Sequence, residues 1–528
     1  MNGDVVGSSF TFGTMSAGSR ITLLWLAVAT ALSISLLFPL FIVDVPPIED
    51  YPNHLARFFI LAHPDDPILS KMYAPHWAVL PNLGMDLVGA GLFRVVDPFI
   101  GGKVLLALSL LAPIAGVTLY HRIAFGCVSY WPLASGLVAY NATFFLGFMN
   151  FLLSIGIAFA GAAIWISLRR KDHPKLSAVT GAIAATVAFF THIFGLVFLF
   201  LLIGSSELAD LRRQHSSGEL KSSAILTSGI AMMAAALPAV IIYSASPFGG
   251  AVTAEGEWPW LIKALRLLSP FAVTSAPLMI QSAGLFVIII VLVWRHTDFA
   301  PGAWLVFGAL AVAYVAVPFD IKGGSFVDAR VAVIFAFMLF AALNPRLAPA
   351  RGIIVTVAIV ALIATRVAFI SSGWSSARRD VADVRAAISN VEPGARVLAV
   401  TGSTEGRFWE PENWILPGFY RLYLHLPALL VVDRRAFWPL LFASPTQQPV
   451  STLPPFDRIS QMGEPVDWTR LANEPYSLEV LMRARYLVGW RANFDYVLVV
   501  DAHPETLQIS GLVHVHDGPF AKLFQIVR

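Results

Sequence analysis

The chain has 528 residues, 57% of them hydrophobic and only 13% charged, about half the charged share of soluble domains, so water is not its main solvent and a lipid bilayer is. A net charge of +3 over that length, with the basic residues scattered through short loops, excludes a polyanion-binding role and with it nucleic acid. The single cysteine, Cys127, excludes an internal disulfide framework.

Residues 1–19 are rich in Gly and Ser and are expected to form a disordered cytoplasmic tail. Residues 21–43 are an apolar run longer than a signal-peptide core, with no small-residue cleavage site before the charges that follow, and predict an uncleaved first transmembrane helix. Further apolar stretches of spanning length lie near 101–120, 132–147, 150–168, 177–192, 193–208, 222–244, 275–294, 301–318, 329–344 and 352–370, giving about eleven spans. The breaks at 169–175, 207–221, 294–302 and 344–351 hold most of the clustered Arg and Lys. The positive-inside rule places them in the cytoplasm and puts residues 44–100, 246–274, 319–328 and the C-terminus outside. The expected localisation is an integral membrane protein.

Beyond residue 370 the composition changes: 16 of the 33 acidic residues fall within 371–528, and the apolar runs shorten to strand length. "ARRDVADVRAAISNV" has helical spacing, "RVLAV", "ALLVV" and "DYVLVV" read as buried strands, and "LVHVHDGPFAKLFQIV" alternates as a closing hairpin. The fold class is therefore an α-helical polytopic membrane protein, with a transmembrane region over 20–370, a first outer loop over 44–100, and a C-terminal extracytoplasmic α/β domain over 371–528, in the periplasm.

Seven acids, Asp44, Glu49, Asp50, Asp65, Asp66, Asp86 and Asp97, crowd into the first outer loop. Asp65 and Asp66 sit in an ordinary "HPDDP" turn. Glu49 and Asp50 end the segment leaving the membrane, and "YPNHLARFFILA" follows as a helix with Pro52 in its first turn. His54, Arg57, Phe58 and Leu61 recur at three and four and share a face of it. A carboxylate at a partly desolvated boundary has its pKa pushed upward, toward the range where it accepts a proton from an attacking hydroxyl. It then serves as a general base at a lipid interface, whereas the plain alternative is a helix-capping acid with an Arg partner.

"PPIEDYPNHLARFFILAH" with "PNLGMDL" resembles the GT-C superfamily of polytopic glycosyltransferases, which includes protein O-mannosyltransferases and aminoarabinose transferases. There too an acidic pair just after the first transmembrane helix opens a long outer loop, and many spans precede a C-terminal outer domain. The resemblance extends to topology over the whole chain, but its specific motif spans only residues 44–86, in the manner of an uncharacterised bacterial branch. It implies that a first-loop carboxylate is the catalytic base and that the sugar donor is a polyprenyl phosphate. Carried onto this chain, the base is Asp50 or Glu49. Relatives often write Asp-Glu followed directly by helix, whereas this chain has Glu-Asp-Tyr-Pro, so the order leaves both acids open, with Asp50 preferred because it abuts the helix.

The remaining candidates serve the two substrates. Asp86, polar at the start of an apolar run, and His54 are expected to orient the acceptor. A departing phosphate needs cations, and a guanidinium offers it paired, charge-assisted hydrogen bonds. Arg57 and Arg330 are assigned to it, with Lys322 and His192 beside them. "EGEWPWLIKALRLLSPF" reads as an interfacial helix. His514 and His516 share a strand face but lack a third ligand, and no metal ligands are assigned. No cofactor is required by these residues, although a divalent cation stays open.

The expected activity is inverting transfer of a sugar from a polyprenyl-phosphate donor to a lipid, glycan or protein acceptor on the outer face, among membrane lipids. A lipid or glycolipid transporter or flippase is the alternative, since ionisable groups near a membrane also mark translocation paths. It lacks support from repeated halves or broken mid-membrane helices. A cell-wall assembly protein, the third class, needs far fewer spans.

Overall fold

In lipid an uncharged run of about twenty residues satisfies its backbone only as helix, and helices dominate this chain. The computed structural model describes residues 17–247, 260–321, 324–402, 414–419, 421–472, 475–502 and 509–528. Helix α1 (Ala17–Phe41) leads through two short helices, α2 (Tyr51–Ala62) and α3 (Gly84–Leu92), to α4 (Pro98–Phe125). After α5 (Ala142–Phe145) come α6 (Met149–Arg170), α7 (Pro174–Thr191), α8 (Ile193–Ser216) and α9 (Ser222–Ser244). Helices α10 (Trp260–Arg266), α11 (Ala276–Trp294), α12 (Ala303–Ala316), α13 (Val327–Ala342) and α14 (Pro349–Ser389) complete the bundle. Among the described residues eight of these, α1, α4, α6, α7, α8, α9, α11 and α14, are long and apolar enough to cross a membrane. Helix α12, with 14 residues, is shorter than the span expected at 301–318, whereas α13, with 16, has the length expected at 329–344 and starts two positions earlier.

Local chemistry sets the ends of α4. Asp97 caps it by accepting from the amides of Phe99 and Ile100 at 3.0 and 3.2 Å, Pro98 occupies the first turn, and Gly126 ends it with φ +70°. Its main neighbour is α6, and glycines let the two backbones meet. A Cβ on Gly116 would stand 2.5 Å from the Gly156 carbonyl oxygen, and one on Gly156 would collide with the Ala112 carbonyl.

The stretch expected as a span at 132–147 is not one α-helix. Residues Trp131–Val138 form a 3-10 helix, followed by α5. Apolar composition promised helix there, but Pro132, Gly136 and the capping Asn141 interrupt the α pattern. The segment still runs the height of α1: the Trp25 indole donates to the Ser129 carbonyl at 2.9 Å, and the Tyr140 hydroxyl donates to the Leu36 carbonyl at 2.7 Å. Arg366 of α14, itself buried, holds the upper end by donating to the carbonyls of Tyr140 at 2.7 Å and Phe271 at 2.6 Å.

The bundle has two unlike ends. At one, Arg170 donates to the carbonyls of Ile123 and Ala124, a Cβ on Gly302 would collide with Ser205, and β2 (Thr297–Phe299) pairs antiparallel with β3 (Leu343–Pro345). Most of the clustered Arg and Lys lie at this basic end, including Arg169, Lys171, Arg213, Arg295 and Arg346. The other end holds residues 44–97 and the described residues beyond about 371.

Helix α14 has 41 residues and runs unbroken through position 371 from the bundle into the C-terminal unit. A four-stranded sheet lies there in the order β4 (Val397–Thr401), β6 (Tyr496–Val500), β8 (Ala521–Ile526), β7 (Leu512–Asp517). Strands β4 and β6 are parallel and fully buried, which is why they read as unbroken apolar runs. The β7–β8 hairpin is the expected one. "ALLVV" is not a strand: it opens α15 (Leu429–Arg434), entered through Pro427 and stopped by Arg435 at φ +52°. A short apolar run carries no period long enough to separate the two. Asp383 of α14 accepts from the amides of Phe520 and Ala521, both at 2.8 Å, and contacts His516 Nε2 at 3.0 Å, clasping the hairpin to the helix.

The C-terminal unit also grips the segment after α1. Strand β1 (Tyr73–Pro75) pairs antiparallel with β5 (Val450–Thr452), and the Asn53 side chain donates to the Leu440 carbonyl at 3.2 Å and accepts from the Phe442 amide at 2.8 Å.

The α4–α6 contact yields a direct test. Gly156→Leu should lower the melting temperature of the detergent-solubilised protein, since forcing bulk into a packed contact costs about 1–3 kcal/mol or more. Gly229→Leu, in α9 with nothing near its Cβ position, should leave the melting temperature unchanged. Equal melting of the two variants would refute the close backbone contact.

Candidate active site

Asp50 occupies the N-cap of α2, where an acid normally accepts a hydrogen bond from the helix's first amides, yet its side chain makes no capping bond. The carboxylate turns instead toward the C-terminal unit and comes within 3.0 Å of His425 Nδ1 through Oδ1. Its position is set by backbone: the Glu49 amide donates to the Phe145 carbonyl at 2.9 Å and the Asp50 amide to Leu146 at 3.3 Å. These bonds seat the pair on the end of α5. Gly147 lies against it at φ +86°, where a Cβ would stand 2.8 Å from the Asp50 Cβ, so glycine both adopts the turn and admits the acid.

The two acids differ in surroundings. The Asp50 side chain is 15% exposed, whereas Glu49 is buried. Burial pushes the Glu49 carboxyl well above the usual carboxylate range, and the charges of Asp50 and then Glu464 push the same way. Burial and the neighbouring acids thereby disfavour the bare Glu49 carboxylate, and Asp50 is the acid with solvent access.

His54, one turn into α2, stacks on Phe58 at 5.9 Å and meets Phe442 edge-on at 5.8 Å. Burial, then the charges of Arg57 and His425, hold its imidazole well below its ordinary pKa and therefore neutral. Its Nδ1 has no hydrogen-bond partner.

Arg57 and Asp86 find each other. The guanidinium meets the carboxylate through two parallel bonds, Nε to Oδ1 at 2.5 Å and Nη2 to Oδ2 at 3.1 Å, and both residues are buried. Burial pushes Asp86 up and Arg57 opposes it. The roles expected from sequence, Arg57 on a donor phosphate and Asp86 on the acceptor, are revised on this ground. Two charges that neutralise each other away from water brace α2 against α3 and leave neither free for a substrate.

Arg330 is placed differently. One of its Nη atoms lies 2.9 Å from His192 Nε2, its guanidinium rests over the Phe148 ring at 4.3 Å, and its buried Nε has no partner. The acids whose fields reach it are Asp50 and Asp320. His192 caps α8 by accepting from the Phe194 amide through Nδ1 at 3.1 Å. A neutral imidazole has one lone pair, so it cannot accept from both Phe194 and Arg330. Arg330 is thus a cation whose present partner is easily replaced.

Lys322 lies outside the described residues, as does Trp258 of the expected interfacial helix. In the described part of that helix Lys263 and Arg266 face inward, while Trp260, Leu261 and Leu265 are exposed. Lys263 donates to the carbonyls of Val315 at 3.2 Å and Val317 at 2.5 Å, and Arg266 pairs with Asp328 at 3.2 Å while lying 4.2 Å from the Phe319 ring centre. His514 packs its ring on Phe524 at 4.3 Å, and His516 Nε2 lies 3.0 Å from Asp383 Oδ1.

Sequence reasoning missed His425. It sits in "RLYLHLPALL", 375 positions from Asp50, and a lone histidine in an apolar stretch gives no spacing to read. The one available signal was a histidine of the C-terminal unit within an otherwise uncharged, core-like run. With it, the donor atoms of Glu49, Asp50 and His425 lie within 4.8 Å of one another, a spacing suited to a metal ion.

No protein-family profile matches the chain, and no curated protein is similar to it. Two solved structures are similar to it in fold, both of ArnT from Cupriavidus metallidurans, one in the apo state and one bound to undecaprenyl phosphate. Each aligns over 96% of this chain and 98% of the other, at 12% identity and a TM-score of 0.47.

The Arg57–Asp86 pair can be tested as a brace. Asp86→Asn leaves a guanidinium buried without a counter-charge and should cost about 3–5 kcal/mol, read as a lower melting temperature. The double variant Arg57→Met with Asp86→Leu should recover most of the loss. A double variant no better than Asp86→Asn would show that the pair does more than neutralise itself.

Proposed function

We propose that the protein is a membrane glycosyltransferase that moves a sugar from a polyprenyl-phosphate donor to an acceptor hydroxyl, with Asp50 as the general base. The observation that carries this reading is the state of Asp50: a solvent-reached carboxylate at a helix N-cap, released from capping, at the junction of bundle and C-terminal unit. Arg330 stands within its field on the bundle side. The GT-C-like motif around "IEDYPNHLAR" supports the same assignment.

The reaction follows from these groups. The acceptor O–H loses its proton to an Asp50 oxygen as its oxygen attacks the anomeric carbon from the face opposite the phosphate. The new C–O bond forms as the bond to the phosphate oxygen breaks, inverting the anomeric centre. The electron pair leaves on the polyprenyl phosphate, whose growing charge draws the guanidinium of Arg330 away from His192. Glu49, buried behind it, stays out of the proton transfer.

The site end of the bundle faces away from the cytoplasm in this reading, because Arg and Lys gather at the opposite end. Donor and acceptor therefore meet at the outer leaflet, and the C-terminal unit covers them there.

Purified protein in lipid nanodiscs, offered a panel of polyprenyl-phosphate sugars with membrane extract as acceptor source, should release free polyprenyl phosphate from at least one donor. Asp50→Asn should reduce that release by roughly a hundredfold to ten-thousandfold, and Glu49→Gln by far less. Release unaffected by Asp50→Asn would reject Asp50 as the base, and no release from any donor would reject the transferase.

Orientation is testable with the protein's own thiol. Cys127 is exposed and lies beside the end of α4, at the basic end. A membrane-impermeant maleimide applied to intact cells should not label it, but should label a cysteine placed at the exposed position 513 of β7 by Val513→Cys. The reverse pattern would invert the protein and move the site to the cytoplasmic leaflet.

A further inference from the structure

Two adjacent carboxylates and an imidazole, drawn from opposite ends of the chain, raise the question of what holds them together. His425 is 3% exposed, and neither of its ring nitrogens makes a hydrogen bond. Its Nδ1 lies 3.0 Å from Asp50 Oδ1, yet off the direction in which a ring N–H would donate. The ring is wedged between Phe442 at 5.1 Å and Trp438 at 5.8 Å, both edge-on. A buried imidazole with both nitrogens unsatisfied is costly, and so is a second carboxylate beside the first. Arg57, the cation of the same helix, is already bound to Asp86.

We infer that Glu49, Asp50 and His425 bind one divalent transition-metal cation, joining the first segment after α1 to the C-terminal unit. Their donor atoms lie within 4.8 Å of one another. Ligands on a shared Zn2+ or Mn2+ at bond lengths of about 2.0–2.2 Å stand about 3–4 Å apart, so a small closure completes the site. One imidazole nitrogen with carboxylate oxygens suits Zn2+ or Mn2+ better than Ca2+, which takes six to eight oxygens. Three protein ligands leave a coordination position open, as catalytic sites do and structural ones do not. The inference deepens the transferase reading at the same site and rests on it only for the occupant of that open position, a donor phosphate oxygen. Asp50 then turns Oδ1 to the cation and keeps Oδ2 for the acceptor hydroxyl.

The test needs neither donor nor acceptor. Detergent-solubilised full-length protein is stripped with chelator, loaded separately with Zn2+ and Mn2+, desalted and assayed for bound metal, with the melting temperature as a second readout. The expected result is one equivalent of at least one of the two ions and a raised melting temperature. His425→Gln, which keeps size and removes the nitrogen ligand, should weaken binding at least tenfold. Glu49→Gln should do the same. No uptake by the parent protein, or uptake that both variants retain in full, would overturn the inference. Failure here leaves Asp50 standing as a base, whereas turnover surviving in Asp50→Asn removes the base without bearing on metal uptake.

Discussion

A charge removed from water must be given a partner, and the placing of those partners governs the rest of this structure. Where the partner is complete, as in the twofold contact of Arg57 with Asp86, the pair fixes two short helices and does nothing further. Where it is incomplete, as for Asp50, His425 and Arg330, polar atoms are left facing one another at the junction of bundle and C-terminal unit. Desolvation makes such groups expensive, which is why an ordinary core avoids them and a site retains them.

Holding those groups in place takes support from distant parts of the chain. The amides of Glu49 and Asp50 bond to the end of α5. That end is positioned by a 3-10 segment tied to α1 at two heights and held by Arg366 from α14. On the other side, β1 pairs with β5, and Asn53 bonds the backbone at Leu440 and Phe442. These contacts bring His425 to Asp50, so the site is shared by the membrane bundle and the C-terminal unit.

Composition and hydropathy made the membrane bundle, the change of character after residue 370 and the acidic first segment readable, because lipid demands long apolar helices and water does not. Three elements resisted the same reasoning. The run at 132–147 is apolar enough for a span but folds as 3-10 and short α-helix, since hydropathy records solvent preference and not helix type. "ALLVV" folds as helix because five apolar residues carry no period. The helix read in two parts at 352–370 and 377–391 is one element of 41 residues, because nothing between them breaks a helix.

Of the candidate site, Glu49 and Asp50 stood out in the sequence because charge at the end of a spanning helix is conspicuous, and Arg330 because it heads into an apolar run. Their partners were not readable. That Arg57 is taken by Asp86, that Glu49 is buried while Asp50 keeps its access to water, and that His425 faces Asp50 are all consequences of packing between segments 29 to 375 residues apart. The sequence alone determined the solvent of each segment and the chemistry each side chain could offer, since both are local properties. Tertiary structure alone decided which charges are satisfied and which are left for a substrate, because burial and pairing depend on atoms brought together only when the chain folds.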